Sequence, residues 1–533
     1  MTVVTGALLH RRATEQAERR GDARAVILGD EQLTYEALEA ASDRLGRQLS
    51  ELGVTESDRV ALIGPKHPTT IAAMLACLKL GALYVPVDAA TPPARIALIL
   101  RAAEPRAIVS TASSVQLLDA LAESGVLGSS PIVSLDVEIA SELVRSSASR
   151  VDWMSLDPTP FGIDVDDDHG AHILFTSGST GVPKGVVITH ANVIGFVDWA
   201  VSHFGIVADD RLSGHTPFHF DLSTLDIHGT FAAGAELHLV PANEALVPQR
   251  LARFIRDSEL TQWFSVPSVL SYLAKFDAVA DRDFPALRRV LWCGEVLPVP
   301  TLIHWIRKLP DVQFTNLYGP TEATIASSYH TVTRCPESDS EQTPIGVACA
   351  GEELVILTTE GAVAAPGETG ELYIGGIGLS PGYWRDPVKT SEMFVADPRP
   401  GADGGRLYRT GDLAWCDQLE VVHFVGRLDT QIKTRGYRVE LGEIEVALDS
   451  VAVLRESAVV ALPSDGFEGT VICCAFVPAD DSVGPPEIRV ALERVVPSYM
   501  IPSKWLAYDE LPRNSNGKVD RPHLREIFAR RRP

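Results

Sequence analysis

Thr176 to Gly185, TSGSTGVPKG, joins one apolar run to a second and carries hydroxyls, glycines and a single lysine. Thr176, Ser177, Ser179 and Thr180 offer hydroxyl groups, Gly178 and Gly181 give the backbone freedom to turn its amides toward an anion, and Lys184 adds a cation. That composition suits a transiently gripped polyphosphate. It fails the P-loop pattern, in which the residue after the lysine is a hydroxyl that binds magnesium; here Lys184 stands between Pro183 and Gly185. A P-loop kinase or GTPase is disfavoured, and a flexible Ser/Gly turn is the lesser reading of the stretch taken alone.

Other short segments carry groups of the same kind, each with an ordinary structural reading beside it. Thr321 and Glu322 in NLYGPTE could simply open a helix, Thr capping and Glu in the first turn. That geometry would also present amides to an anion. Asp221 in FDLS could cap the helix that LSTLDIHG begins, Asp412 could belong to a plain Gly-Asp turn, and Lys518 to an Asn-Gly surface turn.

The elements that must position these groups follow from periodicity. Helical patterns (ALLHRRATEQAERRG, TTIAAMLACLKLG ending at Gly81) alternate with buried-strand patterns (RVALIG, ALYVPVD), which predicts parallel sheets covered by helices. VQFTNLYGPTE is a further strand ending in a Gly-Pro turn. From about Gly370 the runs GELYIGG, RLYRTGDLAWC and LEVVHFVGR are short, aromatic and β-branched, as in a small antiparallel barrel. Past GRLDTQIK, the helix ELGEIEVALDS, strands SAVVALP and VICCAFVP and helix PEIRVALERVVP make a compact α+β unit, with a boundary near Asp429.

Composition narrows the function classes. A chain of 533 residues is too long for one core. Its 45% apolar and 22% charged residues are globular values. The net charge of −23 argues against nucleic acid as a partner, and the one dense basic cluster, Arg530 to Arg532, reads as a solvated terminus. The seven cysteines form no C-x-x-C pair, so neither a disulfide framework nor a zinc site is indicated. The N-terminus lacks the pattern of a secretory signal, and Lys79 interrupts the best candidate for the roughly 18-residue apolar run that a membrane helix needs. A cytoplasmic protein without a membrane partner is expected.

Taken in order, LTYEAL, LKLGALYVPVD, TSGSTGVPKG, FDLS, NLYGPTE, GELYIGGIGLSPGYW, YRTGDL, GRLDTQIKTRGYRVELGEIE, VPSYMIP and NGKVDR make the chain resemble the adenylate-forming superfamily. This superfamily comprises acyl-CoA synthetases, luciferases and the adenylation domains of nonribosomal peptide synthetases, and the likeness is to the amino-acid-activating branch. It implies a multi-domain α/β fold, with residues 1–428 as a core that binds ATP and amino acid and residues 429–533 as a mobile C-terminal domain hinged at Asp429. ATP and Mg2+ are the implied cofactors.

The resemblance also assigns roles. Lys518 would bridge the substrate carboxylate and the nucleotide, and Glu322 would hold magnesium. Thr321 would contact the α-phosphate, and Asp412 and Arg427 the ribose. Tyr318 would lie against adenine beside Gly294, Glu295 and Val296, with Asn316 and Gly319 in the same nucleotide-binding segment. The phosphate loop would clasp the β- and γ-phosphates, Lys184 helping the leaving pyrophosphate. Asp221 would pair with the substrate α-ammonium, since an ammonium in an apolar pocket needs a counter-charge. Leu222, Leu225, Phe264, Leu291, Cys293, Leu317, Ile325 and Ala326 would line the rest of the pocket, closed by Lys518. Nothing charged follows Asp221 among them, which points to a small apolar α-amino acid, proline or alanine. The end of the chain soon after Arg521 predicts a free-standing enzyme that loads the phosphopantetheine thiol of a separate carrier protein. Thr430 to Arg438 would replace the Lys518 loop for that second step. The rival is an acyl- or aryl-CoA ligase of the same fold, in which Asp221 would be structural.

Overall fold

The computed structural model describes residues 8–136, 141, 143–144, 151–178, 181–402, 404–451, 453–464, 469–480, 483–514 and 518–530. Ser179 and Thr180 of the phosphate loop, the Asn516-Gly517 turn before Lys518, and Arg531 and Arg532 of the basic tail lie outside the described residues.

Short β-branched runs buried on both faces build the two large sheets, as parallel sheets require. Every residue of Leu83–Val87 (LYVPV) is buried; it pairs in parallel with Arg59–Ile63 and touches Gly170–Thr176 on its other side, within a seven-stranded sheet. Gly170–Thr176 then turns back through the phosphate loop into Lys184–Thr189. A nine-stranded sheet aligns Gln262–Ser265, Arg289–Trp292 and Gln313–Tyr318 in parallel register, so the segments that follow them emerge at one edge. Ligands of such sheets gather at the carboxyl ends of the strands.

The helix Pro68–Lys79 is buried almost all round, and the chain leaves it through Gly81 at φ 64°, where a Cβ would come within 2.9 Å of Ile163 Cδ1. Lys79, the charge that broke this apolar run, is 1% exposed because Glu39 (2.8 Å) and Asp43 (2.5 Å) meet its ammonium. No helix among the described residues is long and apolar enough to cross a membrane.

The strands after Gly346 are short and antiparallel, as expected of this region. Among the described residues they form a five-stranded sheet containing Gly370–Gly376, Arg406–Cys416 and Val422–Arg427, and Val422 bridges on to Gly346. The C-terminal unit begins with the hairpin Gln431–Thr434/Tyr437–Glu440. The helix Leu441–Asp449 follows and packs on the sheet of Leu454–Pro463, Thr470–Pro478 and Lys504–Ala507 around Ile444, Leu448, Val459 and Phe476. All seven cysteines are free.

Behind the phosphate-loop hairpin lie four buried histidines, His10, His172, His190 and His228. His190 Nδ1 accepts from the Leu9 amide at 3.2 Å, so it is held in a neutral tautomer. Burial, reinforced by neighbouring charge, pushes each of the four down to about 3 from 6.5. A base whose folded pKa is depressed stabilises the fold fully above its unfolded pKa and loses that contribution as pH falls through it. Thermal unfolding followed against pH is expected to give a flat Tm above pH 7. Below 6.5 the Tm should fall, at a cost on the order of 1 kcal/mol per histidine at pH 5.5. A Tm unchanged between pH 7 and 5 contradicts the assignment of neutral buried imidazoles.

Candidate active site

One cavity of about 130 Å³ runs between the strand ends and the C-terminal hairpin. Thr176 and Ser177 enter it from the phosphate-loop strand, Cys293 and Gly294 from the end of Arg289–Trp292, and Tyr318, Gly319 and Thr321 from the end of Gln313–Tyr318. Asp412 and Arg427 face each other across paired strands, and Arg427 donates to Asp412 Oδ1 at 2.5 Å and to Asp429. The Tyr318 hydroxyl donates to Asp412 Oδ2. Burial and the adjacent Asp412 charge push that phenol well above its usual range, so it remains a donor. Asp429 joins the strand Val422–Arg427 to the hairpin, and its carboxylate accepts from the Gln431 amide at 3.1 Å.

Some expected nucleotide contacts do not reach the cavity. Val296 is 71% exposed, and the Asn316 amide is committed to the Pro344 carbonyl at 2.8 Å, two residues before the strand end that carries Tyr318. Glu295 is half-buried nearby, raised by desolvation and accepting from the Ser268 amide.

Glu322 is fully buried in a 3-10 turn, Thr321–Ala323, rather than in the helix that its sequence allows. Its carboxylate accepts from the Tyr383 hydroxyl (2.8 Å) and from Arg438 (2.7 Å), and Lys184 lies 5.4 Å from the centre of the Tyr383 ring. Burial opposes its charge, but Arg438 and Lys184 outweigh it and hold the group down at about 2. Burial lowers Lys184, with Arg438 adding to the effect. The two residues after the turn, Thr324 (φ 52°) and Ile325 (φ 73°), are left-handed and β-branched. Strain of this kind persists only where the surroundings impose it.

Asp221 occupies the cap position of helix Leu222–Ala233 but makes no capping bond; its Oδ2 accepts from Thr321 at 2.7 Å. Burial raises it, while Thr321 and the nearby Lys433 oppose that shift. Leu222, Leu225, Phe264, Leu291, Cys293, Leu317, Ile325 and Ala326 all belong to one buried cluster. Leu222 and Cys293 also line the cavity, while the other six are packed behind them.

Lys518 does not join the site in this structure. It is exposed, and its amide donates to Asn514 Oδ1 at 3.1 Å. The hairpin after Asp429 lines the cavity instead. Lys433 lies 5.8 Å from the centre of the Tyr318 ring, and Gly436 (φ 82°) would drive a Cβ to 2.5 Å from Val266 Cγ1. Tyr437 stacks on Tyr499 with ring centres 3.5 Å apart. Of the two segments expected to alternate, the structure therefore holds the one containing Lys433 to Arg438. Sequence reasoning placed this segment without singling out Lys433, Arg438, Tyr383 or Thr410. The signal for the first two was the density of basic residues inside GRLDTQIKTRGYR.

This fold and site are those of adenylate-forming enzymes. The AMP-binding enzyme family matches residues 13–384 and the AMP-binding enzyme C-terminal domain matches residues 443–518, and the chain belongs to that family. An L-proline–[L-prolyl-carrier protein] ligase of Pseudomonas fluorescens is 33% identical over 96% of this chain and 98% of its own. A protein of the same name from Streptomyces coelicolor is 33% identical over 93% of this chain and 92% of its own. Among solved structures, the Vibrio cholerae adenylation domain AlmE in complex with glycyl-adenosine-5'-phosphate matches with a TM-score of 0.86, 27% identity and 98% coverage of each chain. The protein is thus an ATP-dependent adenylating ligase.

Asp412 is the buried carboxylate on the cavity, and the resemblance implies that it receives the nucleotide's hydroxyls; on that expectation Asp412→Ala should raise the KM for ATP by about tenfold or more. The KM is read from ATP–pyrophosphate exchange, and a KM within twofold of wild type would show that this carboxylate does not receive the nucleotide.

Proposed function

We propose that the protein activates a small apolar α-amino acid, proline or alanine, and transfers it to the phosphopantetheine thiol of a carrier protein. The observation that carries this reading is Asp221: a half-buried carboxylate at a helix start that does not cap the helix, set where an apolar cluster meets the cavity. A carboxylate so placed is costly unless a cation meets it, and a substrate ammonium is such a cation. The eight apolar side chains form one buried cluster of which Leu222 and Cys293 face the cavity, which supports a substrate with a short apolar side chain. The names of the relatives, two prolyl-carrier ligases and an adenylation domain holding glycyl-adenosine-5'-phosphate, point the same way.

In the first half-reaction a carboxylate oxygen of the amino acid attacks the α-phosphorus of ATP, the bond to the β-phosphate breaks, and pyrophosphate leaves. Two anions must meet, so the site needs cations. Lys518 serves between carboxylate and nucleotide when the C-terminal domain turns about Asp429, and the phosphate loop with Lys184 holds the departing phosphates. Glu322 fits magnesium: it is an ionised, fully buried carboxylate that demands a counter-cation whenever Arg438 withdraws. Bound there, the ion would neutralise phosphate charge. In the second half-reaction the thiol sulfur attacks the acyl carbon, the bond to AMP breaks, and the thiol proton passes to solvent. The hairpin Lys433 to Arg438 walls the cavity during this step.

Amino-acid-dependent ATP–pyrophosphate exchange over the common amino acids tests the reading. Proline or alanine should lead, and Asp221→Ala should lose about a hundredfold with the best substrate, because the ammonium is left unpaired. Lys518→Ala should nearly abolish exchange while ATP binding persists. Exchange driven best by a charged or aromatic amino acid, or an Asp221→Ala variant as active as wild type, would sink the assignment.

A further inference from the structure

The active-site cavity has a neighbour. A second cavity of about 810 Å³ shares Pro86, Val87, Asp88 and His219 with it, and reaches the surface at the exposed residues Pro65, Ala90 and Ala242. His219 thus stands in the wall between the two, and it is the one imidazole among the described residues that line either. It sits two residues before Asp221, in a turn closed by the Phe220 amide donating to the Pro217 carbonyl at 3.0 Å. Its ring packs against that of Phe220, centres 4.9 Å apart, and no hydrogen bond among the described residues ties either ring nitrogen.

The other titratable groups on these walls are already engaged. Asp88 lines both cavities, and its Oδ1 accepts from the Ala90 amide at 2.9 Å. Arg95, on the helix Pro93–Ala103, pairs with Glu443 of the C-terminal unit, and Lys66 gives its ammonium to the carbonyls of Gly214 (2.9 Å) and His215 (2.6 Å). Burial raises the phenols of Tyr437 and Tyr499, which complete the wall on the C-terminal side, so both stay protonated. Withdrawal from water lowers the His219 imidazole, with Asp88 opposing the shift and Arg95 adding to it. A histidine lowered from its ordinary value is neutral at pH 7 and can take a proton.

The second half-reaction needs such a group. A thiol attacks as its thiolate, and one that ionises near 8.5 is only about 3% thiolate at pH 7. The acyl carbon that it attacks lies two bonds from the ammonium nitrogen assigned to Asp221, so position 219 is beside the point of attack.

Resting on the function proposed above, we infer that His219 is the general base of thioester formation, its free ring nitrogen accepting the proton of the acceptor thiol as the sulfur attacks. The sulfur–carbon bond forms, and the bond from the acyl carbon to the phosphate oxygen of AMP breaks, its electron pair leaving on AMP. The proton then passes from His219 through the second cavity to solvent.

The test uses the full chain carrying His219→Asn, with proline or alanine as substrate and pantetheine as the acceptor thiol. Exchange of pyrophosphate into ATP involves no thiol and is expected to stay within about threefold of wild type, which also certifies the fold. Single-turnover transfer of the preformed adenylate to pantetheine at pH 7 should slow by about a hundredfold. At pH 9, where most of the thiol ionises unaided, the deficit should shrink to about threefold. A residue that merely shaped the wall would show the same deficit at both pH values, and that result overturns the inference. Transfer at the wild-type rate at pH 7 overturns it too, as does an equal loss in both half-reactions. Should the Asn variant fail to fold, His219→Gln is measured in its place with the same expectations. Absence of exchange in the wild-type enzyme would instead overturn the functional reading on which the inference rests.

Discussion

Glu322 cannot be left alone. A carboxylate with no exposed surface, ionised down to about pH 2, must be matched by positive charge in every state that the enzyme visits. Here the match is Arg438, which arrives on the hairpin after Asp429, with Lys184 close by. The rest of the site is built around that demand. Tyr383 comes from a strand on the phosphate-loop sheet to give a hydrogen bond, and the strained turn through Thr324 and Ile325 holds the carboxylate at the strand end. Separating the pair without a replacement cation would cost on the order of 3–5 kcal/mol.

That constraint connects the two halves of the proposed chemistry. Arg438 satisfies Glu322 in this structure; in the proposed chemistry a metal ion would satisfy it once the hairpin leaves and Lys518 enters. Asp412 is treated alike: Tyr318 and Arg427 fill its hydrogen bonds now, and nucleotide hydroxyls can compete for them. A site whose buried charges each have two alternative partners has two stable arrangements and few between, as domain alternation requires.

Much of this was legible in the sequence because the informative features are local. Gly81 ends its helix with a left-handed residue as its position predicts, and the motifs TSGSTGVPKG, FDLS, NLYGPTE and YRTGDL converge on one cavity. The eight proposed pocket residues share one cluster. What escaped is long-range or depends on conformation. Nothing near Glu322 announces Arg438, 116 positions on, and nothing near Arg95 announces Glu443. Lys79 looked like an interruption in an apolar helix until Glu39 and Asp43 closed around it. The bridge between Gly346 and Val422 likewise joins segments far apart in sequence, a pairing that local alternation does not reveal. Asn316 and Val296 were carried by neighbourhood in the motif, and their side chains are used elsewhere or exposed.

The exchange of partners at Glu322 is most directly tested by a crystal structure of the protein with a non-hydrolysable ATP analogue, magnesium and proline or alanine. The account predicts that Arg438 has left Glu322, that the metal ion stands beside this carboxylate, and that Lys518 has moved from the surface into the cavity. Nucleotide bound with Arg438 still on Glu322 and Lys518 still exposed would contradict it.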